Sequence, residues 1–298
     1  MSNLHRDFVD AVKQLEPLPP TVARLTALLA GSDWGMHEVE ECVAFDQALA
    51  TKLLRIANSA LWFRSHEIGT VRDAVMRIGS GTVLALVMGA GVQRRLSQPL
   101  PLYGLREGDL WKHSVASALA ASVLDSMTDV EVPVEAFAGA LLHDVGKLVM
   151  GRVLAAREKN TPRDAHGLRR LDTPEAEVEV AGLDHSALGG VVASHWQLPE
   201  RLVTAITYHH MPLETDDAIA SVVHAADLVA HRAEAARAQE GSEPPADGMV
   251  DGMDDEDSGL LLPRGSAVLD RLELTPAELE KVVVEVGEEL DDVLRRYS

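Results

Sequence analysis

The chain has 298 residues, of which 46% are hydrophobic, 25% charged and 4% aromatic. This composition is ordinary for a soluble globular chain of one large or two modest domains, and the low aromatic share disfavours a β-sandwich. The formal net charge is −20, from 27 basic and 47 acidic residues. Nonspecific binding to DNA, RNA or an anionic membrane is therefore not expected, because phosphate groups must be met by Lys and Arg.

Three features of the sequence predict a cytoplasmic location. The single cysteine, Cys42, permits neither an intramolecular disulfide nor a cysteine-based zinc site, which is typical of a reducing compartment. Residues 1–7 are not followed by the apolar stretch that a signal peptide requires. The longest apolar run, near residues 83–92, is too short to cross a bilayer and predicts a buried helix.

The first hundred residues have the pattern of several short helices. Proline is tolerated in the first helical turn, so Pro20 predicts the start of a helix. Asp46 and Thr70 are predicted N-cap residues, and each is followed by apolar residues at helical spacing. Prolines close to residue 100 predict a boundary, and we assign residues 1–104 to an N-terminal helical subdomain.

Histidine is concentrated in the next segment, residues 105–235, for which we predict a second helical bundle. Nine of the twelve histidines lie in this segment: His113, His143, His166, His185, His195, His209, His210, His224 and His231. We expect His195 to take part in packing and His166 to lie on a solvated loop. The density of imidazoles in a helical region points to a chemical role for some of the others.

The last part of the chain begins with a strongly acidic stretch. Residues 240–258 contain eight acidic residues and no Lys or Arg. Such a segment repels itself and has little apolar surface to bury, so we predict an acidic disordered loop over residues 236–265. Thr275 as cap and Pro276 as first helical residue predict a closing helix among the C-terminal helices, residues 266–298. Every periodic segment of the chain has the helical period, which predicts an all-α fold.

Four residues form a first candidate metal site: His113, His143, Asp144 and Asp227. His143 and Asp144 are adjacent, so on a regular helix their side chains diverge, and they can reach one ion only where the helix ends or distorts. The Val145-Gly146 pair that follows supplies such an end. Imidazole and carboxylate together favour Mn, Fe, Co, Ni or Zn over Ca.

A second candidate site consists of His185, His209 and His210, completed by a bridging Asp144. Two metal ions can clamp the attacking and leaving oxygens of a phosphoester during hydrolysis. Lys147 would lie near this site as a cation for a phosphate group. Asp144 and Lys147 are therefore the candidate catalytic residues if the protein is an enzyme.

Several strings in the sequence resemble known families. His113, the segment 143–147 (HDVGK) and Asp227 resemble the HD superfamily of metal-dependent phosphohydrolases. The chain as a whole is more specifically similar to the HDOD family, the HD-related output domains of bacterial signalling, over about residues 15–235. The matching strings include residues 50–60 (ATKLLRIANSA), 73–79 (DAVMRIG), 196–200 (WQLPE), 205–210 (AITYHH) and 224–227 (HAAD).

The resemblance implies an all-helical bundle, with residues 105–235 as its HD-like part, and a role in signal transduction or regulation. HDOD members are generally regarded as output or scaffold modules without an established activity, often with eroded metal ligands, whereas this chain keeps the HD-type ligands. It is also similar to the HD-GYP phosphodiesterases of cyclic di-GMP through His185, His209 and His210. The Gly-Tyr-Pro segment of that family is missing after His210, which disfavours hydrolysis of cyclic di-GMP.

The sequence predicts a bacterial signalling module that acts mainly through protein–protein interaction without robust catalysis, and it leaves two alternatives open. The family resemblance favours a stand-alone signalling module that binds another signalling protein. The intact ligand set favours a metal-dependent phosphohydrolase, in which water attacks the phosphorus of a nucleotide or cyclic nucleotide and Lys147 neutralises developing charge, or a sensor that binds a nucleotide without turnover. Without a metal, the same residues would form structural pairs: His143 with Asp144, His113 with Asp227 or Asp144, Asp227 with His224 or His231, and His185, His209 and His210 in a buried polar network.

Overall fold

The computed structural model describes residues 3–29, 31, 35–44, 46–59, 62, 66–160, 171, 173–240 and 263–297. Within these residues the regular structure is helical, without a β-strand, and an isolated antiparallel bridge joins Leu100 to Leu105. The predicted all-α fold is confirmed.

Fourteen α-helices make up the described part of the chain. The N-terminal five are α1 Asn3–Lys13, α2 Pro20–Leu29, α3 Met36–Ala44, α4 Gln47–Ala57 and α5 Val71–Leu96. The next seven are α6 Asp109–Met127, α7 Glu135–Leu142, α8 Gly146–Asn160, α9 Pro174–Ala181, α10 His185–His195, α11 Glu200–Tyr208 and α12 Ile219–Glu240. The last two are α13 Pro263–Arg271 and α14 Pro276–Tyr297. Short 3-10 turns lie at Pro101–Tyr103 and Pro212–Glu214.

The N-terminal helices begin where the sequence predicts. Helix α2 starts at Pro20. The Asp46 carboxylate accepts a hydrogen bond from the Leu49 N–H at 3.0 Å, and the Thr70 hydroxyl accepts one from the Asp73 N–H at 3.1 Å. These side chains satisfy N–H groups that find no partner within the first turn of a helix.

Helix α5 forms the centre of the N-terminal part and packs against α2, α4, α6 and α7. It is interrupted at Gly79, where φ is 77° and ψ is 159°, a conformation that favours glycine. By length and composition α5 could cross a membrane, but 61% of its apolar window is buried inside the protein, as in the core helix of a globular domain. Residues 83–92 are therefore part of a buried helix, as predicted, and this helix is longer than the apolar run.

The second bundle is built around α6, α7 and α12, which pack against one another, with α10 and α11 beside them. Helix α14 contacts α4, α6 and α12, so the closing helix packs on the body as predicted. Its first turn is capped by Thr275, which exchanges hydrogen bonds with Glu278. Because α12 ends at Glu240 and α13 begins at Pro263, residues 236–240 and 263–265 of the predicted acidic loop are helical. The remainder of that loop lies outside the described residues, and so does His166.

Asn58, in the string ATKLLRIANSA, joins the end of α4 to the chain that leads into α5. Its side-chain NH₂ donates to the Leu54 and Ile68 carbonyl oxygens at 3.0 and 2.9 Å. Its side-chain oxygen accepts from the Ile68 N–H at 2.9 Å. One amide side chain thereby satisfies both backbone groups of Ile68.

Replacing Asn58 with alanine is expected to lower the free energy of unfolding by about 1–3 kcal/mol, because partly buried backbone groups lose their partners. Thr51→Ala is a matched control on the same helix, since Thr51 is exposed and its hydroxyl bonds only the Gln47 carbonyl of the preceding turn. We expect this control to change stability by less than about 0.5 kcal/mol. Urea denaturation measures both, and equal effects would contradict the role given to Asn58.

Candidate metal centre

The structure brings together all seven side chains that the sequence analysis selects as metal ligands. The outermost two, His113 and Asp227, are 114 positions apart in the chain and in direct contact. His113 lies on α6 and Asp227 on α12. His143 and Asp144 lie in the turn between α7 and α8, and His209 and His210 lie in the turn after α11. His185 is the first residue of α10. Six of the seven are buried, and His210 is partly buried.

The first cluster is organised around the Asp227 carboxylate. Its Oδ1 lies 3.0 Å from Nε2 of His113 and 3.5 Å from Nε2 of His143. Oδ2 of Asp144 lies 3.4 Å from Nε2 of His143 and 3.9 Å from Nε2 of His113. Ligand atoms of His113, His143 and Asp144 all lie within 4.8 Å of one another, and Asp227 contacts both imidazoles of this group.

The second cluster contains His185, His209 and His210, whose potential ligand nitrogens lie within 4.8 Å of one another. Nε2 of His185 and Nε2 of His210 are 2.9 Å apart. Nε2 of His209 is buried and has no hydrogen-bond partner among the described residues. Buried polar atoms without a partner are uncommon in folded proteins, and Nε2 of His224 is another such atom in this structure.

Asp144 lies between the two clusters, with one carboxylate oxygen towards each. Its Oδ2 faces Nε2 of His143, and its Oδ1 lies 3.0 Å from Nε2 of His185. The predicted break in the helix makes this possible, because α7 ends before His143 and α8 begins after the turn that contains Asp144. The structure thus places Asp144 between the two groups of histidines, and its role as a bridge between two metal ions stays a prediction.

The backbone determines which ring nitrogen faces the centre in two of these histidines. Nδ1 of His143 lies 2.8 Å from the Ala140 carbonyl oxygen, and Nδ1 of His209 lies 2.8 Å from the Ile206 carbonyl oxygen. A carbonyl oxygen only accepts, so in the neutral ring Nδ1 carries the proton and Nε2 keeps the lone pair that faces the centre. Both histidines directly follow the last residue of a helix, so the same local geometry recurs in each cluster.

The first cluster holds opposite charges in close contact. Burial lowers the pKa of His113, but hydrogen bonds to Asp227 and Glu234 outweigh burial and raise this pKa to about 9. Burial also opposes protonation of His143, whose pKa the charges of Asp144 and Asp227 raise to about 10. The pKa values of both aspartates are held well below their ordinary range despite burial, by their cationic neighbours.

The second cluster contains two imidazoles that are neutral at physiological pH. Burial and the neighbouring His210 hold the pKa of His209 well below its ordinary value. Burial and the neighbouring His185 lower the pKa of His210 to about 3. Burial and the neighbouring Lys147 lower the pKa of His185, the third imidazole, but hydrogen bonds to Asp144 and Glu177 outweigh them and raise it. Neutral imidazole is the form that binds a metal ion, so His185 and the two imidazoles of the first cluster must release protons to do so.

Lys147 lies at the centre, where the sequence analysis places it. Its ammonium group is 2.8 Å from Oδ2 of Asp144. Burial lowers the Lys147 pKa, but the Asp144 carboxylate outweighs burial and raises this pKa above its ordinary value. The Lys147 side chain is 18% exposed, and that of His231, whose Nε2 lies 3.3 Å from Oδ1 of Asp227, is 42% exposed. These two side chains border the solvent side of the centre.

Sequence reasoning missed three contributors to this network: Tyr103, Glu177 and Glu234. The Glu177 carboxylate lies 2.8 Å from Nδ1 of His185, and that of Glu234 lies 3.2 Å from Nδ1 of His113. Glu234 lies seven residues after Asp227 on α12, so helical spacing could have indicated that both share a face. Glu177 has no comparable signal, because an acidic residue in the first turn of a helix is ordinary.

Gly146 allows α8 to approach the start of α10 closely. A Cβ atom at this position would lie 1.9 Å from the His185 carbonyl oxygen and 2.7 Å from the Gly189 nitrogen. These are backbone atoms, so the clash cannot be relieved by rotating a side chain. The absence of a side chain at Gly146 is what allows His185 to reach Asp144.

Replacing Gly146 with alanine is therefore expected to lower the free energy of unfolding by about 3 kcal/mol, since two helices must separate. Gly287→Ala is the matched control, because a Cβ there meets nothing within 4 Å, and in a helix it should be neutral or stabilise by up to about 1 kcal/mol. Thermal unfolding followed by circular dichroism measures both. A Gly146→Ala protein as stable as wild type would refute the close approach of α8 to α10.

An all-helical fold with this arrangement of His, His-Asp and Asp defines a protein of the HD type. A family model described as the HDOD domain matches residues 15–212, which is well over half of the chain. The chain belongs to the HDOD family. An uncharacterized protein of Treponema pallidum (strain Nichols) is 23% identical over 219 residues, which is 70% of this chain and 40% of that protein. The chain thus spans about 40% of the length of that curated relative.

Three solved structures share the fold. An HDOD domain protein of unknown function from Geobacter sulfurreducens has a TM-score of 0.68 at 24% identity, with 97% of each chain covered. A protein of Marinobacter aquaeolei VT8, provisionally named a signal transduction protein, has a TM-score of 0.65 at 21% identity, covering 99% of this chain and 65% of that one. A protein of Shewanella amazonensis SB2B, provisionally named a metal-dependent phosphohydrolase, has a TM-score of 0.59 at 17% identity over 100% of both chains.

Proposed function

We propose that this HDOD protein is a signalling protein whose centre holds two divalent transition-metal ions and hydrolyses a phosphoester between them. One observation carries the proposal: the two carboxylate oxygens of Asp144 face separate histidine clusters, at 3.4 Å from His143 and 3.0 Å from His185. A carboxylate with one oxygen towards each of two imidazole clusters is an arrangement that can hold a pair of metal ions.

The donor set fits such ions. Imidazole nitrogen and carboxylate oxygen together suit Mn, Fe, Co, Ni or Zn. His113, His143, Asp144 and Asp227 would hold one ion, and His185, His209, His210 and Asp144 the other. The buried, unpartnered Nε2 of His209 supports this assignment, because a positive ion in the second cluster would satisfy it.

The proposed chemistry follows from the charges around the centre. Bound ions supply Lewis-acid stabilisation of the attacking and leaving oxygens in a phosphoryl transfer. Asp144 keeps the two positions at a fixed separation, and Lys147 holds Asp144 and adds a cation on the solvent side, where an anionic phosphate must enter. A nucleotide or cyclic nucleotide is the proposed substrate class, since the net charge of −20 disfavours a long nucleic acid.

Membership of the HDOD family supports the signalling role, and the provisional names of the Marinobacter and Shewanella proteins are consistent with signalling and with metal-dependent hydrolysis respectively. The proposed partner is another signalling protein. Under this proposal, hydrolysis or binding of the phosphoester would be the signal to which the partner protein responds.

A second candidate function is an interaction module in which the centre is only structural. The observation that favours it is the close pairing of charges already present: His113 with Asp227 at 3.0 Å and Lys147 with Asp144 at 2.8 Å, all largely buried. Such a network can join α6, α12 and the turn before α8 without an ion. The two candidates differ in whether metal and a phosphoester are bound.

Hydrolysis of bis(4-nitrophenyl) phosphate, a chromogenic phosphodiester, tests the enzymatic part of the proposal. Wild-type protein loaded with Mn²⁺ should release nitrophenolate, and His210→Ala, which removes a partly buried ligand of the second position, should abolish this release while leaving the fold intact. Metal-loaded protein without turnover of this diester or of nucleoside phosphates would rule out the enzyme and leave the metal-containing sensor. Protein that binds no metal would leave the structural interaction module.

A further inference from the structure

The four fully buried imidazoles of the centre are anchored through Nδ1 in two ways. His143 and His209 donate to a backbone carbonyl one turn earlier in the chain. His113 and His185 face carboxylates instead, that of the partly buried Glu234 and that of the buried Glu177. Each of the two proposed ion positions therefore contains one imidazole of each kind.

Glu177, on α9, is 1% exposed, and its carboxylate contacts the His185 imidazole. Its two oxygens lie 2.9 and 2.8 Å from Nδ1 of this ring, and Oε2 also accepts the His185 backbone N–H at 2.6 Å. The Tyr103 hydroxyl donates to Oε1 at 2.7 Å and so holds the carboxylate from the other side. With its proton fixed on Nδ1, the His185 ring directs Nε2 towards Asp144 and His210.

Glu234, on α12, takes the same position relative to His113. Its Oε2 lies 3.2 Å from Nδ1, while Nε2 of His113 faces Asp227. His113, His231 and Glu234 also have ligand atoms within 4.8 Å of one another, as a third ion position would require. A neutral imidazole has a lone pair on one nitrogen only, so His113 cannot serve an ion through each nitrogen at once. Glu234 therefore accepts the Nδ1 proton rather than holding a third ion.

We propose that Glu177 and Glu234 are positioning residues, one for each ion position, that fix the orientation and tautomer of His185 and His113. This inference rests on the proposed metal centre. A carboxylate on Nδ1 keeps the proton there and makes Nε2 a stronger ligand, and loss of such a partner typically weakens metal binding about 10- to 100-fold. The imidazoles anchored by backbone carbonyls, His143 and His209, fix the geometry of the two ion positions. Those anchored by carboxylates, His113 and His185, set the metal affinity of each position.

The two carboxylates act on separate positions. The hydrogen bonds of Glu177 reach His185 and Tyr103, and that of Glu234 reaches His113. A change at one carboxylate should therefore weaken one ion and leave the other bound. A merely structural role predicts instead a general loss of stability that affects both ions alike.

Titration of Co²⁺ into metal-free protein tests this inference, with the visible absorption of bound Co²⁺ as the readout of ligand geometry at each position. The variants are E177Q and E234Q, which keep the shape of the side chain and remove its charge. E135Q is the matched control, because Glu135 is also buried but pairs with Arg201 at 3.7 Å rather than with an imidazole. Thermal unfolding of each metal-free variant separates loss of stability from loss of affinity.

Wild type and E135Q should each bind two ions. E177Q and E234Q should each bind one ion about 10- to 100-fold more weakly than wild type, with a changed spectrum for that ion. Each of these two variants should bind its other ion with an affinity within about threefold of wild type. If E177Q does not fold, the more accessible E234Q decides the outcome. Wild type that binds no Co²⁺ would overturn the proposed metal centre. Wild type that binds two ions, together with variants that match it or that lose both ions equally, would overturn the positioning role alone.

Discussion

Replacing Asp144 with alanine is expected to remove both metal ions at once. Asp144 faces both clusters, so each proposed position loses a ligand and the link between them. The change also removes the nearest counter-charge of the buried Lys147 ammonium group, while His143 keeps Asp227 and His185 keeps Glu177. Breaking a buried ion pair on one side costs about 3–5 kcal/mol, so the metal-free variant should be less stable by about that amount.

Metal content after dialysis and urea denaturation of the metal-free protein measure the two effects separately. Asp144→Asn should also lose metal, because an amide offers one oxygen instead of two, while keeping more of the stability. Asp217→Asn is the control for the loss of a carboxylate outside the centre, where Asp217 pairs with Arg201 at 2.8 Å on the surface. An Asp144→Ala protein that keeps one of two ions would show that Asp144 belongs to a single position.

The metal-free protein should lose stability as pH rises from about 6.5 to 10. The folded-state pKa values of His113 and His143 are about 9 and about 10, above the value of about 6.5 expected in the unfolded chain. The folded protein thus holds protons that the unfolded chain has released. This stabilisation is complete below pH 6.5 and is lost as pH rises through 9 and 10. Its loss should amount to about 3 kcal/mol or more, because each tenfold difference in proton affinity between the two states corresponds to about 1.4 kcal/mol.

Metal binding should show the opposite trend. Because the same two imidazoles must release their protons to bind an ion, the affinity for Mn²⁺ should rise across this pH range and fall as pH is lowered. Thermal unfolding at pH 7, 8, 9 and 10, with and without Mn²⁺, measures both trends. Asp227→Asn removes a counter-charge of both rings and should flatten the slope of the metal-free protein. A metal-free wild type that gains stability between pH 7 and 9 would contradict the assigned protonation states.

Much of the fold follows from local sequence signals. The caps at Asp46, Thr70 and Thr275 depend on residues three positions away, so the sequence alone identifies them. The helical period of the apolar residues likewise predicts the all-α class. Residues 80 and 81 (Ser-Gly) predict the start of a further helix, and the structure interrupts α5 next to them at Gly79. The end of α12 at Glu240 was less predictable, because it has no strong local signal.

The residues of the candidate metal centre also differ in how far the sequence predicts them. The seven candidate ligands, and the place of Asp144 between the two clusters, could be predicted because the sequence resembles the HD superfamily at these residues. Glu177 could not be predicted, since an acidic residue in the first turn of a helix is ordinary and its contact with Tyr103 joins residues 74 positions apart. The helical spacing of Glu234 from Asp227 indicates a shared face, but the contact of Glu234 with Nδ1 of His113 depends on how α6 and α12 pack.

The number of metal ions per chain tests the central claim most directly. The protein should be purified without a metal-affinity tag, stripped with a chelator, reloaded with Mn²⁺ or Ni²⁺, dialysed and analysed by inductively coupled plasma mass spectrometry. A dinuclear centre bridged by Asp144 predicts two ions per chain in the wild type and a higher melting temperature with metal than without. A wild type that retains no ion and gains no thermal stability from added metal would contradict the metal centre and leave the structural interaction module.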